Sequence, residues 1–512
     1  MSGLEVKRHG PSISAGQLQI PVRGVHLPSV PSRSPKSRRQ VLDPFPVPAI
    51  LAASGVRNLI STICCAVPRG LRAGPVALLG LLLLAVCPAT GCRTAATRQV
   101  SGLGPAVARL QAGGSLHPEV DRLVQPLLAR GQAFGMVVGV VTPDGATQTF
   151  CYGRSGRPGE AGPPGPDSLF QIGSVSKLFV EALLARLVQE GQLHYEDTVA
   201  AILPPDLRVS TEVGRMTLYE LATHTGGLPR EPFTVRQLWS FARYLVTGRN
   251  LYSHLSRRYL YAYLRHCHIK PAKRGQFAYS NIGIGLLAHL IEIKTGRPAT
   301  DLIVEKVCRP LGMSDSAYVL DASRRQRLMV GHTGNQACWK PRHSPLAPWD
   351  MGDLMRPSAG LYSSAHDLLA FARANLGLTH NPLESALAST HQVQAETPRG
   401  GQALGWLVNR FDQERVTITF KDGVLAGYSA YLGLNLQKRL AVVVLQNQFT
   451  WDDKVGLNLL LRLSAVYPSP ASRLDALNQK RLQIGADTAK SINDAVLTLR
   501  TNKQANHWIQ TR

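Results

Sequence analysis

The sequence is short of acidic residues. Its 512 residues carry 33 Asp and Glu against 57 Lys and Arg, a formal net charge of +24 at pH 7. The excess is spread along the chain and is mostly arginine, which suits attraction to an anionic polymer or envelope. Nucleic-acid signatures are missing: there is no helix-turn-helix pattern, no zinc-finger spacing and no aromatic RNA-binding motif. No nucleic-acid partner is expected. Metal spacing is missing too. Cys64, Cys65, Cys87 and Cys92 precede the body of the chain, and Cys151, Cys267, Cys308 and Cys338 lie far apart within it with no C-x-x-C pair. No zinc is expected, and the body holds either one or two disulfides or four free thiols. There is no internal repeat, and the apolar run Val76 to Cys87 is short for a membrane-crossing helix.

Residues 1–67 are rich in Pro, Ser and Arg, with a basic run at Lys36-Ser37-Arg38-Arg39 and no apolar period. They read as a disordered leader or as residues upstream of the true start. Pro68-Arg69-Gly70-Leu71-Arg72, the run Val76 to Cys87 and Pro88-Ala89-Thr90-Gly91-Cys92 form the three regions of a secretory signal, 68–92. A signal normally opens a chain, so a translation start near Val67 is expected. The residues before Cys92 resemble a bacterial lipobox, with Ala89 where leucine is usual, so Cys92 is the expected lipidation site. An uncleaved anchor is the alternative. Residues 93–116 read as a tether and 468–512 as a polar tail, disordered or partner-binding. The body is thus expected on the periplasmic face of the cell envelope, lipid-anchored, and Arg93 after Cys92 points to the outer membrane.

Within 117–467, Val120, Leu123, Val124, Leu127 and Leu128 predict a helix over His117–Arg130. Gly135–Thr142 and Thr147–Tyr152 are strands around the turn Pro143-Asp144-Gly145. A helix follows from about Gly173 to Gly191. From 191 to 400 the chain reads as helical with loops, including Thr217–Thr223, Ile282–Lys294 and Asp367–Leu376. Strands return at Ala403–Phe411, Val416–Phe420, Tyr428–Asn435 and Arg439–Asn447, before a helix over Asp452–Ala465. The expected class is α/β (α+β): an antiparallel sheet built from both ends of the chain, flanked by helices, with an inserted helical domain.

Three short stretches carry chemistry. In Gly173-Ser174-Val175-Ser176-Lys177, Ser174 opens a helix whose free N–H groups favour negative charge. Lys177 lies one turn on, where a desolvated amine can take the serine proton. In Tyr279-Ser280-Asn281, a tyrosine among cations can shuttle a proton, and the Asn281 amide can meet a substrate carbonyl and Lys177. In Lys421-Asp422-Gly423, a strand edge can bind substrate backbone and Gly423 leaves it room. The N–H groups of Val424 and Ser174 can form an oxyanion hole.

The order S-x-x-K, Y-x-N, K-x-G resembles the serine β-lactamase and penicillin-binding protein superfamily, in its class C-like branch with the D-alanyl-D-alanine carboxypeptidases and endopeptidases. Leu221-Ala222-Thr223-His224-Thr225-Gly226-Gly227-Leu228-Pro229, Arg309-Pro310-Leu311-Gly312-Met313 and Ser358-Ala359-Gly360-Leu361-Tyr362-Ser363-Ser364 agree. The resemblance, over about 117–465, implies a β-lactamase/transpeptidase-like fold and no cofactor or metal. Ser174 would be the nucleophile. Lys177 and Tyr279 would relay its proton, with either one as the base. Asn281 and Lys421 would orient substrate, and Lys421 would keep Tyr279 acidic. Asp422 departs from the family, which has a hydroxyl residue there to hold a substrate carboxylate. It turns away, is neutralised by an arginine, or marks a substrate lacking that carboxylate. The expected function is an exported hydrolase of peptidoglycan peptides, acylated by β-lactams. The alternatives are an esterase on small acyl esters and a non-catalytic lipoprotein scaffold.

Overall fold

A computed structural model describes residues 115–467 apart from 233, 398–399, 412–414 and 452–453. The leader 1–67, the signal 68–92 with Cys92, the tail 468–512 and nearly all of the tether 93–116 lie outside the described residues.

Helix α1 (His117–Ala129) buries Val120 and Val124, with Leu123, Leu127 and Leu128 beside them. Strand β1 (Gly135–Val141) then turns back into β2 (Thr147–Gly153). Asp144 shapes that turn, because its carboxylate accepts from Thr142 Oγ1 at 2.6 Å and from the Ala146 N–H at 3.3 Å. β1 is buried along its whole length, which explains its unbroken apolar sequence. Val137 and Val141 enter one core, and Met136, Val138 and Val140 the other.

The region that follows is largely helical. It contains α2 (Lys177–Gln189), α3 (Leu218–Ala222), α4 (Asn281–Thr295), α5 (Gly352–Ala359) and α6 (Ala365–Asn375), and α7 (Lys454–Val466) closes the body. The sequence predicts α2 as a helix from about Gly173. Instead Gly173–Ser176 is a tight 3-10 turn and α2 begins at Lys177. Residues 177–185 are all buried, because other helices, α4 and α5 among them, pack around α2 and Phe179 stacks on Phe371 of α6. Helix α5 falls in a stretch without apolar period; it is short and contains Pro357.

Six further strands come from the C-terminal third: β3 (Ala395–Thr397), β4 (Gly400–Gln402), β5 (Leu407–Phe411), β6 (Val416–Leu425), β7 (Tyr428–Asn435) and β8 (Leu440–Gln446). All eight form one antiparallel sheet in the order β2-β1-β8-β7-β6-β5-β4-β3. Met136 pairs with Gln446 and Val141 with Ala441, so strands from both ends of the body share the sheet as expected. The third motif is placed differently from its expected position at a strand end. β6 runs on through Lys421, Asp422 and Gly423, because β7 pairs with it as far as Leu425. β5 pairs only with Val416–Phe420, which leaves the other edge of 421–425 open.

Candidate active site

That open edge meets the turn bearing Ser174. A Cβ on Gly423 would lie 2.1 Å from the Ile172 carbonyl oxygen and 2.8 Å from Ser174 N, so no side chain fits there. Gly173 adopts φ +55°, and a Cβ on it would lie 2.9 Å from Val424 N. The backbone N–H groups of Ser174 and Val424 are therefore neighbours, on the two sides of one contact.

Two donors converge on the Ser174 hydroxyl. Lys177 Nζ lies 3.1 Å from Oγ, and its ammonium end also donates to the Ser358 carbonyl at the end of α5, at 3.3 Å. Tyr279 Oη lies 2.8 Å from Oγ. Ser280 fixes the tyrosine's backbone: its Oγ donates to the Pro229 carbonyl and accepts the Gly283 N–H as cap of α4. The His224 ring packs on Tyr279 at 4.7 Å, and His224 Nδ1 accepts the Ser280 N–H at 3.2 Å.

Three cations surround the Tyr279 ring: Lys421 Nζ at 4.8 Å, Arg230 Cζ at 5.2 Å and Lys177 Nζ at 5.3 Å from its centroid. Burial, with Lys421 and Arg230 adding like charge, holds Lys177 well below the usual lysine range. Burial also pushes Lys421 down to about 8, with Asp422 opposing it. The expectation that Lys421 keeps Tyr279 acidic is corrected. Burial raises the Tyr279 phenol above its ordinary value and outweighs both Ser174 and Arg230. The resting phenol is neutral, and the amine is the group shifted toward base.

Asn281, the first residue of α4, donates its Nδ2 to Glu231 Oε1 at 2.7 Å. A carboxylate only accepts, so the orientation of this amide is settled chemically. The expected bond between Lys177 and Asn281 is not made, because Lys177 Nζ is turned to Ser174 and the Ser358 carbonyl instead. Glu231 also accepts from Tyr252 Oη at 3.1 Å. Lys421 is buried and its Nζ has no hydrogen-bond partner among the described residues. Asp422, half-buried, lines a small cavity with Tyr431 of β7 and Val455 and Gly456 of α7, on the sheet face opposite Lys421, so it turns away from the Ser174 site; among the described residues no arginine pairs with it. Sequence reasoning missed Arg230, Glu231 and Glu181. Glu181 is fully buried one turn beyond Lys177, and burial keeps its carboxyl well above the usual range. Arg230 and Glu231 directly follow the quoted Leu228-Pro229, which is the one signal that points to them.

Among the described residues, Asp167, Asp315 and His366 have ligand atoms close enough for a metal ion, but Asp315 pairs with Arg327 at 2.7 Å and none of the three belongs to the Ser174 site. Cys151, Cys267, Cys308 and Cys338 are free thiols.

Comparison with known proteins follows the same boundaries. The family model described as Beta-lactamase matches residues 120–466. The D-alanyl-D-alanine-carboxypeptidase/endopeptidase AmpH of Escherichia coli is 30% identical over 340 residues, covering 64% of this chain and 82% of that protein. A Beta-lactamase of Pseudomonas fluorescens is 26% identical, covering 64% and 92%. The crystal structure of a class C beta lactamase from Rhodobacter sphaeroides superposes with a TM-score of 0.56 at 25% identity, covering 67% of this chain and 97% of that one.

Proposed function

The chain belongs to the Beta-lactamase family, whose members here are serine β-lactamases and DD-peptidases, and from that premise we propose that it is an exported D-alanyl-D-alanine carboxypeptidase/endopeptidase with Ser174 as nucleophile. The observation that carries this reading is the pair of short contacts on one hydroxyl, 3.1 Å from Lys177 and 2.8 Å from Tyr279.

Neutral Lys177 takes the Ser174 proton as Oγ bonds to the substrate carbonyl carbon. The N–H groups of Ser174 and Val424 stabilise the oxyanion. As the C–N bond breaks, Tyr279 delivers a proton to the leaving amine and is reprotonated from Lys177. A water then attacks the acyl-enzyme, its proton passing back along the same pair. Asn281, held by Glu231, presents its amide oxygen to a substrate N–H. Lys421 supplies positive charge beneath the phenol when it is transiently deprotonated. Gly423 lets the substrate backbone lie against β6.

A fluorescent penicillin tests the acylation step. Wild type takes a covalent label and Ser174→Ala takes none; equal labelling of both rejects the reading. Release of D-alanine from muropeptides tests the peptidase assignment. Lipidation at Cys92 places the enzyme at the envelope in this reading, and Cys92→Ser would then shift it from the membrane to the soluble fraction. Asp422, which stands where the family carries a hydroxyl residue for a substrate carboxylate, favours a second reading, an esterase for small uncharged acyl esters. Turnover of p-nitrophenyl esters without penicillin labelling would select it.

A further inference from the structure

The three cations around Tyr279 differ in access. Lys177 is 0% exposed and Lys421 1%, whereas the Arg230 side chain is 54% exposed. Lys177 is committed to Ser174 and Ser358. Lys421 is shut in against the Tyr279 ring, with its Nζ 4.8 Å from the centroid. An anion arriving from solvent meets Arg230 first.

Arg230 is placed firmly. Its carbonyl accepts the N–H groups of Asn281 at 3.0 Å and Ile282 at 3.4 Å, which ties its backbone to the first turn of α4. Its guanidinium lies over the Tyr279 ring at 5.2 Å. Tyr279 in turn touches the nucleophile at 2.8 Å. Glu231 pairs with the guanidinium at its Nε side only. The closest approach is Nε to Oε1 at 3.5 Å, long for a hydrogen bond, while the same Oε1 accepts from Asn281 and Tyr252. The terminal nitrogens of Arg230 have no hydrogen-bond partner among the described residues. The remaining edge, formed by the two terminal nitrogens, matches a carboxylate.

We propose that Arg230 is the anion anchor of this site, binding a carboxylate that the acyl donor carries close to its scissile bond. It takes over the contact that Asp422 in the third motif cannot make. The substrate class is thereby narrowed to acyl donors with a free carboxylate, such as peptides ending in D-alanine. The inference rests on acylation of Ser174.

The test compares benzylpenicillin with its methyl ester, which differ by one charge, by second-order rate constants for acylation of the whole protein. Wild type prefers the acid. In Arg230→Ala the acid-to-ester ratio falls ~10- to 100-fold, the range of a charge-assisted hydrogen bond. Arg230→Lys retains part of the ratio. Arg230→Gln, which keeps a flat side chain on Tyr279, loses it as Arg230→Ala does. An unchanged ratio overturns the proposal. So does an equal fall for both compounds, which would mean that Arg230 only supports Tyr279. If Ser174→Ala is acylated as fast as wild type, the acyl-enzyme reading fails and takes this one with it. That failure shows in the Ser174 variant, whereas failure of the anchor alone shows only in the Arg230 series.

Discussion

At the scale of single residues, two buried lysines set the pH response. Lys177 must be neutral to accept a proton, and burial keeps it well below its ordinary value, so its competent fraction grows as pH rises. Lys421 must be cationic to favour the transient phenolate, and it loses its charge as pH passes about 8. The acylation rate is expected to rise and then fall, with the alkaline limb near 8. In Lys421→Arg the alkaline limb vanishes, because a guanidinium stays charged, although the maximal rate drops. A pH series of penicillin acylation rates on both proteins checks this. Asp422→Thr should raise reactivity toward carboxylate-bearing β-lactams by about tenfold, since it removes a negative charge whose field reaches Lys421 and Tyr279. No change would discount Asp422 as a repulsive element. Ser174, Lys177 and Tyr279 are legible in the sequence because each sits in a short pattern at a helix start, and the order of the patterns adds specificity. Arg230 and Glu231 are not. Their roles arise where the fold lays them on Asn281, a long-range contact that no local pattern encodes.

At the scale of elements, the contact between β6 and the Ser174 turn depends on a missing side chain. Gly423→Ala would force its methyl group to within 2.1 Å of the Ile172 carbonyl, and backbone on both sides must move apart. An ångström of displacement here should cost at least ~100-fold in acylation rate with little change in melting temperature. Gly139 shows the structural counterpart. Its Cβ would lie 2.9 Å from Leu369 of α6, so Gly139→Val should destabilise by about 1–3 kcal/mol through overpacking. Pairing it with Leu369→Ala should restore part of that loss in urea denaturation. The strands are legible as apolar or β-branched runs. The extension of β6 past Phe420 is not, because Lys421, Asp422 and Gly423 have poor strand propensity and are held by pairing with β7 alone. Helix α2 shows a different limit. Its periodicity marks a helix, but burial of residues 177–185 on all sides is imposed by helices that come from elsewhere in the chain.

At the scale of the whole molecule, one sheet joins both ends of the body, and α1 and α7 cover the same face of it. Arg462 of α7 and the buried Glu119 of α1 form an ion pair at 3.1 Å across that face. Arg462→Ala should destabilise the protein by about 1.5 kcal/mol, because it removes a charge-assisted bond from a buried carboxylate that retains Arg122 at 3.5 Å. A chemical melt would register this as a lower midpoint with an unchanged slope. The sandwich of helices and sheet is legible from the order of strands, helices and strands. The strand neighbours are not, since register is a property of the assembled sheet.

The pairing of β1 with β8 also fixes when the protein can first work. Met136 finds Gln446 only after nearly all of the body has been synthesised, and contacts so distant along a chain form late. Until that last strand arrives, the hairpin that begins the sheet is not joined to β5, β6 and β7. The single sheet on which the body is built therefore closes only when its final strand is in place.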